Sequence, residues 1–129
     1  MDAIERIYRE WHERAGNNDT AGLLALYSAD ATFESPLVPR LMKTARGIVR
    51  GQDELRAFFE QLARNTPTAH ERYRAGYLTD GRLLMWEYPR ATPGAEQMDF
   101  VEVMEIGDDG LIHRQRVYWG WFRLGADRR

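Results

Sequence analysis

The chain contains no cysteine, which excludes disulfide staples, thiolate zinc sites and cysteine nucleophiles. No apolar run approaches the roughly 18 residues that a membrane-spanning helix needs. An excess of one charge is also missing: 18 basic residues stand against 20 acidic ones, a formal net charge of −2. That balance builds no broad positive field of the kind that drives sequence-independent nucleic-acid binding. His12, His70 and His113 are scattered too widely to suggest that two of them share one metal ion. Hence no metal or other cofactor is expected, and neither nucleic acid nor membrane is an expected partner. The chain does not open with a basic stretch and an apolar run, so a cytoplasmic location is the expectation.

What is present is an ordinary globular composition, with 129 residues of which 43% are hydrophobic and 29% charged. A single domain over residues 1–129 is expected. A chain of that length buries about two thirds of its unfolded surface, enough for a core with room for a cavity.

Ile4, Ile7, Tyr8, Trp11 and Ala15 recur at the spacing of one helical face, with Glu5, Arg6, Arg9, Glu10 and Glu13 between them. Asp19 or Thr20 can cap a second helix whose apolar face is Leu23, Leu24, Leu26 and Tyr27. Residues Ala31–Leu37 alternate as a strand, and Pro36 suggests that it lies at a sheet edge. Val38–Arg50 reads as a loop. A third helix starts near Gln52, with Asp53 and Glu54 in its first turn and a buried stripe of Leu55, Phe58, Phe59 and Leu62. Strands are then expected near Ala69–Leu78, Leu83–Arg90, Gln97–Ile106 and Leu111–Arg123, separated by Asp80-Gly81, Pro93-Gly94 and Gly107–Gly110. Helices first and strands last imply an α+β domain, three helices packed on one face of a curved, mostly antiparallel sheet.

Strand parity points to one residue. In Gln97–Ile106 the even row is Met98, Phe100, Glu102, Met104 and Ile106, so a lone carboxyl group stands in an apolar row. Pairing Ile106 with Leu111 would set Glu102 opposite Gln115, Phe100 opposite Val117, Met98 opposite Trp119 and His113 across from Met104. Leu84, Trp86 and Tyr88 form the matching row of the preceding strand. On the other face Arg114 and Arg116 would lie diagonal to Glu105 and Asp99. A carboxyl group among Phe, Met and Trp should have a raised pKa unless a donor stabilises its anion. Such a group serves as an acid/base catalyst or as a ligand anchor. The plainer alternative is that Glu102 lies at the sheet margin or pairs quietly with Gln115 or an arginine.

Several stretches together resemble the NTF2-like superfamily, in particular its SnoaL-like and ketosteroid-isomerase-like branch. They are Ala15–Asp19 followed by Gly22–Tyr27, Ser28–Pro36, Gly51–Phe59 and Asp109–Trp119. The resemblance implies a cone-shaped fold in which a curved sheet wraps around helices and encloses a ligand pocket. Position by position, the isomerase's general-base aspartate falls on Ser35, its oxyanion tyrosine on Trp11 and its protonated oxyanion aspartate on Glu102. Serine is no base near neutral pH without help, and Trp11 can donate a hydrogen bond but cannot exchange a proton. Steroid-type isomerisation by the usual residues is thus disfavoured, as is epoxide hydrolysis, whose acidic position falls on Val117.

The expectation that results is a cofactor-independent isomerase, cyclase or dehydratase acting on a hydrophobic, cyclic or polyketide-like substrate. Glu102 would be its catalytic residue. Trp11, Ser35, Tyr88 and Gln115 would orient the ligand, against a wall of Phe33, Phe58, Leu84, Trp86, Phe100, Met104, Val117 and Trp119. Two rival readings are a non-catalytic ligand-binding or accessory module and a dimer whose pocket is filled by its own aromatics. Tyr118-Trp119-Gly-Trp121-Phe122 places aromatics on both faces of the last strand, Trp119 and Trp121 on the pocket side. The outer face is therefore expected to form a homodimer. The basic loop Arg40, Lys43, Arg46 and Arg50 reads as a solvated rim.

Overall fold

The structure is a computed structural model, and it describes residues 2–65, 71–72, 75–91 and 98–119; for 71–72, 88–91, 98–99 and 119 it describes the backbone. Helix α1 spans Ala3–Gly16, α2 Thr20–Leu24, α3 Leu37–Met42 and α4 Gly51–Asn65. The strands are β1 (Tyr27–Glu34), β2 (Ile48–Arg50), β3 (Glu71–Arg72), β4 (Leu78–Thr79), β5 (Leu83–Ala91), β6 (Met98–Ile106) and β7 (Ile112–Trp119). They form one sheet in the order β2-β1-β7-β6-β5-β3, with β4 pairing beside β3 on β5. Every pairing is antiparallel except β1 with β7. This is the expected α+β architecture, helices gathered against a mostly antiparallel sheet.

Local chemistry accounts for the helices. The Asp2 carboxylate accepts the Glu5 N–H at 2.8 Å and opens α1, whose exposed side carries Glu5–Arg9, Arg6–Glu10 and Glu10–Arg14 pairs one turn apart. Asp19 caps α2 by accepting the Gly22 N–H at 2.9 Å. Gly51, at φ +84°, makes the left-handed turn from β2 into α4, where the Glu54 carboxylate reaches back to the Arg50 N–H at 2.9 Å. Leu55, Phe58 and Phe59 then bury one side of α4 against Phe33 and Tyr27 of β1.

Four expectations are corrected. The second helix ends at Leu24, so Tyr27 is the first residue of β1 rather than part of a helical face. Strand β1 is interior, flanked by β2 and β7, and ends before Pro36; a missing proline N–H therefore disturbs no ladder. The stretch 38–50, read as loop, contains most of α3 and all of β2, and its Arg40, Lys43, Arg46 and Arg50 are exposed. The expected strand Ala69–Leu78 is replaced by the short β3 and β4, with residues 75–77 in neither.

The β6–β7 register also differs, by two residues over most of its length. Glu102 stands opposite Val117, Met104 opposite Gln115 and Phe100 opposite Trp119. The difference has two equal parts: Ile106 pairs with Ile112 rather than Leu111, and a bulge adds one residue more. Glu105 pairs with Arg114 and Ile106 with Ile112, which leaves His113 as the extra residue. His113 thus does not lie across from Met104; its ring meets the Asp109 carboxylate at 3.0 Å. Because side chains alternate with period two, a slip of two keeps every later β7 residue on its expected face. His70, Trp121 and Phe122 lie outside the described residues.

Candidate functional site

The inward rows of β5, β6 and β7 meet at Glu102, which is 8% exposed between Phe100 and Met104. Leu84 stands opposite Met104, Trp86 opposite Glu102 and Tyr88 opposite Phe100. Gln115, fully buried, lies between Phe33 of β1 and Met104 of β6. Its amide Nε2 donates to Glu102 Oε1 at 2.7 Å. The donor that could stabilise the anion is therefore present, as a diagonal neighbour rather than the direct one.

Two further residues extend this contact into a chain. Trp11 Nε1 of α1 donates to the Tyr27 hydroxyl oxygen at 3.0 Å, and the Tyr27 hydroxyl donates to Gln115 Oε1. The direction is dictated by chemistry. An indole N–H can only donate, so the phenol proton is left for Gln115 Oε1, which turns the Gln115 amino group toward Glu102. Each donor thus points one step nearer the carboxyl group, and such chains polarise in the same sense. Burial pushes the Tyr27 phenol well above its usual value of 10.0; the Trp11 N–H opposes this and the charge of Glu102 adds to it. Tyr27 consequently stays protonated and remains a donor throughout the neutral range.

Aromatic rings enclose this line on the helix side. The Trp86 ring lies 5.4 Å from that of Trp11, 4.8 Å from that of His12 and 5.5 Å from that of Tyr8, centre to centre. His12 Nδ1 is 2.7 Å from the Tyr8 carbonyl oxygen. A carbonyl only accepts, so the imidazole carries a proton on Nδ1. Tyr8 also packs on Tyr77 at 4.8 Å, and its hydroxyl accepts the Gly76 N–H at 2.9 Å. Phe33 and Phe58, 5.2 Å apart, close the opposite side.

Of the expected site residues, Glu102, Gln115, Trp11, Trp86, Phe33, Phe58, Leu84 and Met104 fall into one connected region, with half-buried Val117 opposite Glu102, and buried Phe100 continues the inward row of β6. Ser35 is buried, but its Oγ accepts the Leu37 N–H at 3.1 Å and turns the chain into α3. No described contact joins it to Glu102. The backbones of Tyr88 and Trp119 both pair with Phe100. Tyr27 and His12 were missed by sequence reasoning. Tyr27 was masked by its place at the end of a helical pattern. For His12 the i+4 spacing from Tyr8 is the signal in the sequence that could have found it. Among the described residues no group of three or more His, Asp or Glu could hold a metal ion.

The SnoaL-like domain family matches residues 5–115, and the chain belongs to that family. The fold is shared with a SnoaL-like protein of unknown function from Burkholderia thailandensis, with a TM-score of 0.75 and 18% identity over 92% of this chain and 95% of that one. A steroid delta-isomerase from Pseudomonas aeruginosa gives a TM-score of 0.66 at 21% identity, over 95% and 82% of the two chains. SalBIII, an epoxide hydrolase/cyclase-like enzyme of pyran ring formation in the polyether salinomycin, gives 0.66 at 17% identity, over 91% and 90%. No curated protein sequence matches the chain. Among the described residues no helix is long and apolar enough to cross a membrane.

Proposed function

We propose that the protein is a cofactor-independent enzyme that moves a proton on a hydrophobic, cyclic or polyketide-like substrate held in an internal pocket, with Glu102 as the catalytic residue. One observation carries this reading: a single carboxyl group in an apolar row, held at the end of a chain of neutral donors from Trp11 through Tyr27 and Gln115. The Gln115 amide, itself neutral, orients the carboxyl group, and a carboxyl group held in this way in an apolar row can take and return a proton. Likeness in fold to an isomerase and to a cyclase-like enzyme supports the class and not the substrate. Leu84, Phe100, Met104, Val117 and the rings around Trp86 would bind the substrate by burial.

Glu102→Gln keeps size and hydrogen bonding while removing the acid. Native protein would be screened with a β,γ-unsaturated cyclic ketone, read by the absorbance of its conjugated product, and with a hydroxy-epoxide, read by ring formation. On whichever compound is turned over, the variant should lose about 10²–10⁴ in kcat with KM little changed. Full activity in the variant would falsify the proton-transfer role. A second reading, ligand binding without turnover, is favoured by Ser35: the position where the related isomerase carries its base holds a hydroxyl group committed to a backbone turn. It predicts tight binding of such compounds by native protein and no product.

The outer face of the sheet supports the homodimer. Leu83, Met85 and Tyr118 are exposed there beside half-buried Val101, an apolar strip that a second copy would cover. Tyr118→Glu should shift the mass measured by light scattering toward one chain, and an unchanged mass would rule out this face.

A further inference from the structure

Trp11, Tyr27 and Gln115 each spend a donor within the chain leading to Glu102. Trp11 gives its N–H to Tyr27, Tyr27 its O–H to Gln115, and Gln115 an N–H to Glu102. Trp86 differs. Its side chain is 3% exposed, yet its indole Nε1–H is buried with no hydrogen-bond partner among the described residues. Buried N–H groups are nearly always paired, because leaving one unpaired forfeits its hydration with nothing in return. An orphan of this kind in the middle of a proposed ligand site has a direct explanation in the ligand.

Its position strengthens that explanation. Trp86 stands directly opposite Glu102 on the neighbouring strand, on the same inward face, and opposed residues hold their Cβ atoms about 4.5–5.5 Å apart. The rings of Tyr8, Trp11 and His12 surround it and fix the indole plane. An indole N–H is donor-only and uncharged, so it selects a ligand that presents a hydrogen-bond acceptor, a carbonyl or hydroxyl oxygen being the common kind.

We propose that Trp86 Nε1–H is the specificity-determining donor of the site, and that the ligand carries a carbonyl or hydroxyl oxygen that accepts from it while its apolar body rests on the surrounding rings. The proposal rests on the reading of this region as a ligand pocket and narrows the ligand to an oxygenated ring compound, as opposed to a pure hydrocarbon.

The test compares α-tetralone, flat and apolar with one carbonyl, with tetralin, the same carbon skeleton without the oxygen. Both are titrated into the full-length protein carrying ¹⁵N-labelled tryptophan. Tetralone is expected to move the Trp86 indole N–H resonance downfield, whereas tetralin leaves it near its starting position. In Trp86→Phe, which keeps an aromatic ring and removes the N–H, the ratio of tetralone to tetralin affinity should fall about fivefold, the worth of one neutral hydrogen bond. Should that variant fail to fold, the resonance shift in native protein decides the matter alone. Binding of both compounds with no such shift, or with an unchanged affinity ratio in the variant, overturns the role of Trp86 and leaves the pocket standing. If neither compound binds, the pocket and the role of Trp86 fall together.

Discussion

Strand β6 carries two glutamates three residues apart, and the sheet treats them in opposite ways. Glu102 faces inward and is held by the Gln115 amide, itself held by Tyr27 and Trp11. Glu105 faces outward and is held by Arg116 at 2.6 Å, with Arg114 at 3.9 Å. The hydrogen bond to Glu105 raises the pKa of Arg116 further still. The outer cluster is partly solvated, where water competes for each charge and such pairs contribute little. The inner chain is buried from Tyr27 through Gln115 to Glu102, where each neutral hydrogen bond holds more and each loss costs more. The same ladder thus carries a surface that tolerates change on one side and a strictly ordered polar line on the other.

The contrast can be broken most severely at Gln115. Gln115→Leu removes the group that links Tyr27 to Glu102 while preserving bulk, and should lower unfolding stability by about 3 kcal/mol. The midpoint of urea denaturation measures it; a loss as small as that from an outer-face change would mean the inner line is not special. Tyr27→Phe removes one acceptor and one donor from the same line and should cost about 1–2 kcal/mol in the same assay.

A pH experiment sharpens the comparison further. The Tyr27 phenol has a raised pKa in the folded chain, chiefly through burial, while in the unfolded chain it titrates near its ordinary 10.0. The neutral phenol is the folded form, so its contribution is complete below about pH 10 and is lost as pH rises from there through the folded value. Absorbance at 295 nm should show one tyrosine ionising only as the fold opens, and Tyr27→Phe should lack that late step. Early, complete ionisation with the fold intact would contradict the burial of this group. The smallest effect is expected outside: Glu105→Ala should cost under about 1 kcal/mol, and 0.5 M salt should remove most of it.

Parity along β6 singled out Glu102 without any knowledge of its partners, because one charged residue in an apolar row is visible in a string of letters. Gln115 was legible for the same reason, although its register was not. The bulge at His113 has no signature in residue types; together with the pairing of Ile106 with Ile112 it moves β7 by two positions. The period of two protected the face assignments from that error. Ser35 shows the reverse case: the family pattern placed it among the ligand-orienting residues, whereas the backbone uses its hydroxyl to enter α3. Tyr27 was illegible for another reason. Its role depends on β1 running parallel beside β7, a pairing between residues 27 and 112 that no local pattern announces.

By itself the amino-acid order determined the helix faces, the alternation of the long strands and the presence of one acid in a greasy row. These follow from periods of 3.6 and 2 that each segment carries within itself. The tertiary structure alone decided that Trp11, Tyr27, Gln115 and Glu102 form a single line, and that the Trp86 N–H beside it is left unspent. Hydrogen bonds between side chains act over about 3 Å, and only the folded sheet brings residues separated by 88 positions within that reach.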